Sequence, residues 1–228
     1  MTRALPHDYD SDPERWRTGR RVVAAYLKGE DVHGMVAARF AAAGCRTVLD
    51  IGCGFGRLAQ SLPSGLAWTG IDSSPTMLAE APRPVVRADA VRLPFASGAF
   101  DAAAAMYMLY HLEEPLGAIR EAYRVLRPGG VFAASAPSRR DAPELDPIVA
   151  PEPQATFDAE NAPELVGAVF ERVEVSAWDT PAYELPDETA LRQYLRGWGY
   201  RLTGDPRSLA FPLTLTKRGA VIYGFKKT

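Results

Sequence analysis

The 228 residues suffice for one hydrophobic core, or for one core carrying an inserted cap. A hydrophobic fraction of 47% with 24% charged residues excludes wholesale disorder, and a net charge of −2 with a pI near 6.0 lacks the clustered Lys and Arg that a nucleic-acid partner requires. No apolar run approaches the roughly eighteen residues of a membrane helix, and neither a signal segment in Met1–Asp10 nor a disulfide or metal spacing at Cys45 and Cys53 is present, so the expected setting is cytoplasmic and reducing, with no membrane, nucleic acid or metal partner.

In chain order, Ser11-Asp12-Pro13-Glu14 is a helix start leading into Trp16–Leu27, with Arg15, Arg17, Arg20 and Arg21 as its solvated face. A second helix is predicted over Val32–Ala43. Short apolar runs then alternate with helical patterns. Strands are predicted at Thr47–Ile51, Leu66–Ile71, Val85–Arg87, Phe100–Tyr107 and Val131–Ser135, and helices at Arg57–Ser61, Pro75–Glu80 and Pro115–Leu126, with a turn at Pro128-Gly129-Gly130. The pattern loosens through a Pro-rich stretch to Thr156, then resumes with the helix Ala162–Phe170 and the strands Arg172–Ala177 and Ala220–Phe225. This alternation predicts an α/β fold with a largely parallel sheet and helices on both faces. One domain is expected over residues 1–228: an N-terminal helical segment (1–44), a ligand-binding core (45–136), and a cap insertion (178–217) containing a helix at Glu188–Trp198.

The most informative stretch is Asp50-Ile51-Gly52-Cys53-Gly54-Phe55-Gly56-Arg57. Glycines after a first strand permit a tight turn and close approach of a ligand to the backbone. The third glycine falls one position short of the dinucleotide fingerprint, with Arg57 in its place, and Asp50 would repel a pyrophosphate while suiting an ammonium group. The loop therefore favours a nucleoside bearing an amino acid over a nicotinamide dinucleotide. Asp72, followed by Ser73, ends the next strand, where its carboxylate can accept both ribose hydroxyls. Asp89 with Ala90 follows the third, positioned to read an adenine edge. Each acid alone suits a turn or cap equally well; three at successive strand ends form a constellation.

These motifs, together with Gly70 through Met77, Leu93-Pro94-Phe95, Phe100-Asp101 and Leu126-Arg127-Pro128-Gly129-Gly130, resemble the class I S-adenosylmethionine-dependent methyltransferases, especially the small-molecule and quinone-type group. The resemblance covers roughly Arg46–Ser135. It implies a Rossmann-like seven-stranded sheet whose last strand runs antiparallel beside the fifth and sixth. It further implies that Asp50, Gly52, Cys53 and Gly54 hold the methionine part, that Asp72 takes the ribose, that Met77 packs near the adenine, and that the Met106 carbonyl lies near the amino group.

Methyl transfer from a sulfonium is an in-line displacement. Orientation can supply about 7–11 kcal/mol, so a general base is optional. His111 and Tyr107, following the fourth strand, are the catalytic candidates, against a packing or capping role for His111. His7 and His33 are expected at the surface. Tyr9, Trp16, Tyr110, Tyr183, Tyr194 and Trp198 are candidates for an acceptor pocket, or for the cap's own core. The expected partner is a small-molecule acceptor, with the chain a monomer or homodimer. A cofactor-binding protein that does not methylate, such as a cyclisation scaffold or regulator, is the alternative; an RNA methyltransferase conflicts with the charge balance.

Overall fold

A computed structural model describes residues 9–29, 31–151 and 154–228; His7 lies outside them. The apolar run Thr47–Ile51 forms β1, with its last four residues buried, as a central parallel strand requires. It pairs in parallel with β2 (Ala67–Asp72) on one side and β4 (Phe100–Met106) on the other. Beyond them lie β3 (Val85–Arg87) and β5 (Leu126–Pro137), also parallel. The last strand, β7 (Leu213–Phe225), runs antiparallel to β5 and separates it from β6 (Arg172–Leu185), giving the order β3-β2-β1-β4-β5-β7-β6. This is the expected seven-stranded, mostly parallel α/β sheet.

The chain divides into two compact units. The larger comprises residues 31–139, 155–177 and 219–228. Its helices are α2 (Val32–Ala42), α3 (Arg57–Ser61), α4 (Pro75–Glu80), α5 (Pro115–Val125) and α6 (Ala162–Gly167). In α5 the buried positions Pro115, Ala118, Ile119, Ala122 and Val125 recur at helical spacing and form one apolar face. Ala102 to Ala105 of β4 are fully buried in the sheet, and Phe132 stacks on Phe170 at 5.3 Å. The turn expected at Pro128–Gly130 is part of β5, which starts directly after α5. Gly129 at φ +75° and a shifted register opposite Phe100–Ala102 absorb the bend as a bulge.

The smaller unit takes the described part of residues 1–30 and of 140–154, together with 178–218. It contains α1 (Pro13–Tyr26), capped by Asp12, and α7 (Glu188–Trp198), capped by Asp187 and ended by Gly199 at φ +77°. These two helices meet where neither has a side chain: a Cβ on Gly197 would lie 2.7 Å from the Gly19 Cα. Val22, Leu145, Ile148, Leu191, Tyr194 and Leu215 fill its core. The Pro-rich stretch after β5 thus supplies core residues, Leu145 and Ile148 among them. The expected N-terminal helical segment is split between the units, α1 in the smaller and α2 in the larger. Arg15 is not on a solvated face: it is buried and lies 4.8 Å from the Tyr9 ring, whereas Arg17, Arg20 and Arg21 are exposed. No helix among the described residues is long and apolar enough to cross a membrane.

Candidate functional site

Asp50, the glycine loop, Asp72, Asp89 and Met106 come from the carboxyl ends of four adjacent strands, β3-β2-β1-β4, where open parallel sheets bind ligands. The loop leaves β1 through three residues in the left-handed region, Gly52 (φ +66°), Gly54 (φ +54°) and Gly56 (φ +82°). Only glycine adopts this conformation cheaply. Their surroundings differ. A Cβ on Gly52 would lie 2.8 Å from Met108 Cγ and one on Gly56 2.5 Å from Pro82 Cδ, but one on Gly54 would meet nothing within 4 Å. The loop is therefore packed from behind and open at Gly54.

Asp72 ties the loop to β2. Its Oδ2 accepts from the Gly54 N–H and its Oδ1 from the Ser74 N–H, both at 2.9 Å, which fixes the carboxylate plane and leaves a lone pair on each oxygen. Ser74 caps α4, accepting from Met77 N–H at 3.1 Å; Ser73 is exposed and its carbonyl accepts from Arg87 Nε. Met77 and Ala90 are buried, and Asp89, exposed, accepts from the Val91 N–H at 3.0 Å in a tight turn.

Asp50 is 2% exposed, and its Oδ2 accepts from the Trp68 indole N–H at 3.2 Å. No cation pairs with it among the described residues. Burial pushes its carboxyl up to about 7, the indole N–H pulls it down, and the neighbouring Asp72 raises it. A buried carboxylate with one neutral donor is stabilised by an ammonium group brought beside it. Gly54 leaves room there for a ligand. The residues present therefore fit an amino-acid-bearing nucleoside. Trp68 escaped the sequence reading; the signal was Gly70, which leaves the indole room on the same face of β2.

After buried Met106 the chain enters Tyr107 at φ +53°, a left-handed conformation that costs a non-glycine residue about 1–3 kcal/mol. The Tyr107 N–H is held by Ser135, donating to its Oγ at 3.1 Å and its carbonyl at 3.2 Å. A single 3₁₀ turn, Leu109–His111, follows; the His111 ring packs against Tyr110 at 4.5 Å.

His33, expected at the surface, is buried, with its ring 6.1 Å from that of Tyr107. The cause is Asp31. Its carboxylate caps α2, approaches His33 Nδ1 at 3.4 Å and accepts from Arg57 at 3.0 Å and Ser61 at 3.3 Å, anchoring the start of α2 to the helix after the glycine loop. Burial holds the His33 imidazole below its usual range, while its Asp31 contacts hold the aspartate well below the carboxylate range against desolvation.

Tyr183, Tyr194 and Trp198 lie together in the smaller unit: Tyr194 stacks on Trp198 at 4.5 Å and meets Tyr183 edge-on at 5.2 Å. Tyr183 and Tyr194 are buried, and Trp198 is 38% exposed. Tyr9 and Trp16 belong to the same unit, Trp16 buried under the guanidinium groups of Arg17 and Arg20.

Residues 49–134 match the protein family described as "Methyltransferase domain". The chain is 37% identical over 149 residues to a malonyl-[acyl-carrier protein] O-methyltransferase of Enterobacter lignolyticus, covering 63% of this chain and 54% of that protein. It spans about half the length of this and other curated methyltransferases that it matches. Among solved structures, a Thermotoga maritima S-adenosylmethionine-dependent methyltransferase, described as a possible histamine N-methyltransferase, superposes with TM-score 0.60 at 22% identity, over 96% of this chain and 97% of that one. The [4+2]-cyclase SpnF superposes with TM-score 0.62 at 20% identity, over 96% and 95%. At these identities the structures speak for the fold alone. The family match falls on the segment running from the middle of β1 into β5, so the methyltransferase-domain sequence of residues 49–134 coincides with the strands that carry the glycine loop and the strand-end acids, on a sheet of the fold these structures share.

Proposed function

We propose that this protein transfers a methyl group from S-adenosylmethionine to an O, N or C atom of a small-molecule acceptor. The observation that carries the reading is the buried Asp50 carboxylate, without a cation among the described residues, beside a glycine loop that is open at Gly54 and tied to Asp72. When bound, the cofactor supplies an electrophilic methyl on a sulfonium. Asp50 and the Gly52-Cys53-Gly54 backbone hold the methionine part and the Met106 carbonyl faces its amino group. Asp72, whose oxygens each keep a lone pair, takes the ribose hydroxyls; Asp89 and Ala90 read the adenine beside Met77. Tyr107 and His111, next along from β4, face the acceptor, with His111 available to take a proton from a hydroxyl acceptor. The free, buried thiols of Cys45 and Cys53 support a reducing, cytoplasmic setting.

Calorimetric titration with S-adenosylhomocysteine, with NADH as control, tests the cofactor without knowing the acceptor. Stoichiometric binding of the nucleoside alone is expected; preference for NADH, or no binding, overturns the reading. Acceptor-dependent formation of S-adenosylhomocysteine then separates a methyltransferase from a cofactor-binding scaffold.

A further inference from the structure

The placement of Trp68 is specific to the way β1 and β2 pair. In their register Val48 lies beside Trp68 and Asp50 beside Gly70, so Trp68 and Gly70 share a face of β2 and Asp50 is diagonal to the indole. A Cβ on Gly70 would lie 2.5 Å from Trp68 Cη2 and 2.6 Å from Cys53 Sγ. Gly70 thus lets the indole lie along the strand toward the glycine loop, where Gly56, 3.5 Å from Trp68 Cη2 at its Cβ position, leaves space again. At this site the indole Nε1–H donates to Asp50 Oδ2 at 3.2 Å, with Trp68 and Asp50 both buried. A phenylalanine would fill most of that volume but could not donate.

We propose that Trp68 is a positioning residue for cofactor binding: its indole N–H holds one oxygen of Asp50 so that the other faces the ammonium group of the methionine part. The inference rests on the reading that Asp50 receives that ammonium. Around Asp50 the ionisable neighbours are Asp72 from β2, which opposes its ionisation, and the Cys53 thiol of the loop, itself pushed up by burial. From β4 the register neighbour is Ala104, which carries no charge. The indole N–H is the group that favours the charged carboxylate, so removing it raises the pH at which Asp50 ionises.

The test is calorimetric binding of S-adenosylhomocysteine to wild type and Trp68→Phe between pH 6 and pH 9. Loss of one hydrogen bond to a charged group predicts about tenfold weaker binding at pH 7, recovering toward wild type at pH 9. In an Asp50→Asn background the same substitution should change little. Equal binding at every pH overturns the inference, and so does a loss that is uniform in pH, which marks a packing role. If Trp68→Phe does not fold, the four indole N–H resonances of the wild type give a second readout. One should move with pH through the Asp50 titration near 7. If none moves, the inference fails. Absence of binding by wild type, with that resonance still titrating, would fault the cofactor reading and leave the Trp68–Asp50 link standing.

Discussion

The Gly54 N–H donates to Asp72 Oδ2 at 2.9 Å, so the glycine loop after β1 is latched to the end of β2 by the carboxylate proposed to receive the ribose. Asp72→Ala should weaken S-adenosylhomocysteine binding by well over tenfold, since two charge-assisted hydrogen bonds, each worth about 1.5–3 kcal/mol, are lost along with the latch. Calorimetry on the folded variant checks this; unchanged affinity rejects the placement.

Two loop glycines separate ligand space from packing. Gly54→Ala pays only for its left-handed backbone, about 1–3 kcal/mol, while its methyl enters the open space proposed for the cofactor. Binding should fall at least tenfold with a modest drop in Tm. Gly52→Ala adds a clash with Met108 and should lower Tm further. Thermal unfolding and titration of both variants decide; a larger stability loss in Gly54→Ala would contradict the arrangement.

Asp50 gives binding and stability opposite responses to pH. Its carboxyl is raised to about 7 in the fold from an ordinary 3.8. Between about pH 4 and 7 the unfolded chain has released this proton and the folded chain keeps it, so stability falls as pH rises across that window. Asp50→Asn should flatten this slope in chemical denaturation. If Asp50 receives the ammonium group as proposed, binding draws on its ionised form, and affinity for S-adenosylhomocysteine should rise through pH 7, with a proton released at lower pH. Calorimetry in buffers of different ionisation enthalpy detects that proton.

On the acid side His33 acts in the other direction. Burial keeps it neutral in the fold, whereas the unfolded imidazole gains its proton below about pH 6.5, so stability attributable to His33 is lost as pH falls from there. The His33 ring resonances should show no titration near pH 6.5; ordinary titration there would contradict its burial under Asp31 and Tyr107.

The smaller unit depends on a backbone contact between α1 and α7. Gly197→Ala places a methyl 2.7 Å from Gly19 Cα, and neither backbone can rotate away as a flexible side chain would. A cost of about 1–3 kcal/mol, hence a Tm lower by roughly 2–10 °C, is expected, with faster amide exchange confined to α1 and α7. Exchange unchanged in those helices would count against the contact.

The sequence by itself determined the sheet, its parallel majority and the strand-end acids, because each depends on a local pattern: short apolar runs, glycines at fixed offsets, and carboxylates just beyond strand ends. It also placed α5 and α7 almost to the residue, since their apolar spacing and their start signals, Pro115 for α5 and the Asp187 cap for α7, are local to each segment. Only the tertiary structure decided which distant segments share a core. Leu145 in the Pro-rich stretch packs with Val22 and Leu215, and no local pattern records that association. The same holds for single residues. His33 is buried where the fold brings Asp31 and Tyr107 beside its ring, and Trp68 reaches Asp50 because β1 and β2 pair in one register, with glycine at position 70 leaving room for the indole. Periodicity reports which face a residue occupies, while burial and proton affinity depend on what the fold brings to that face.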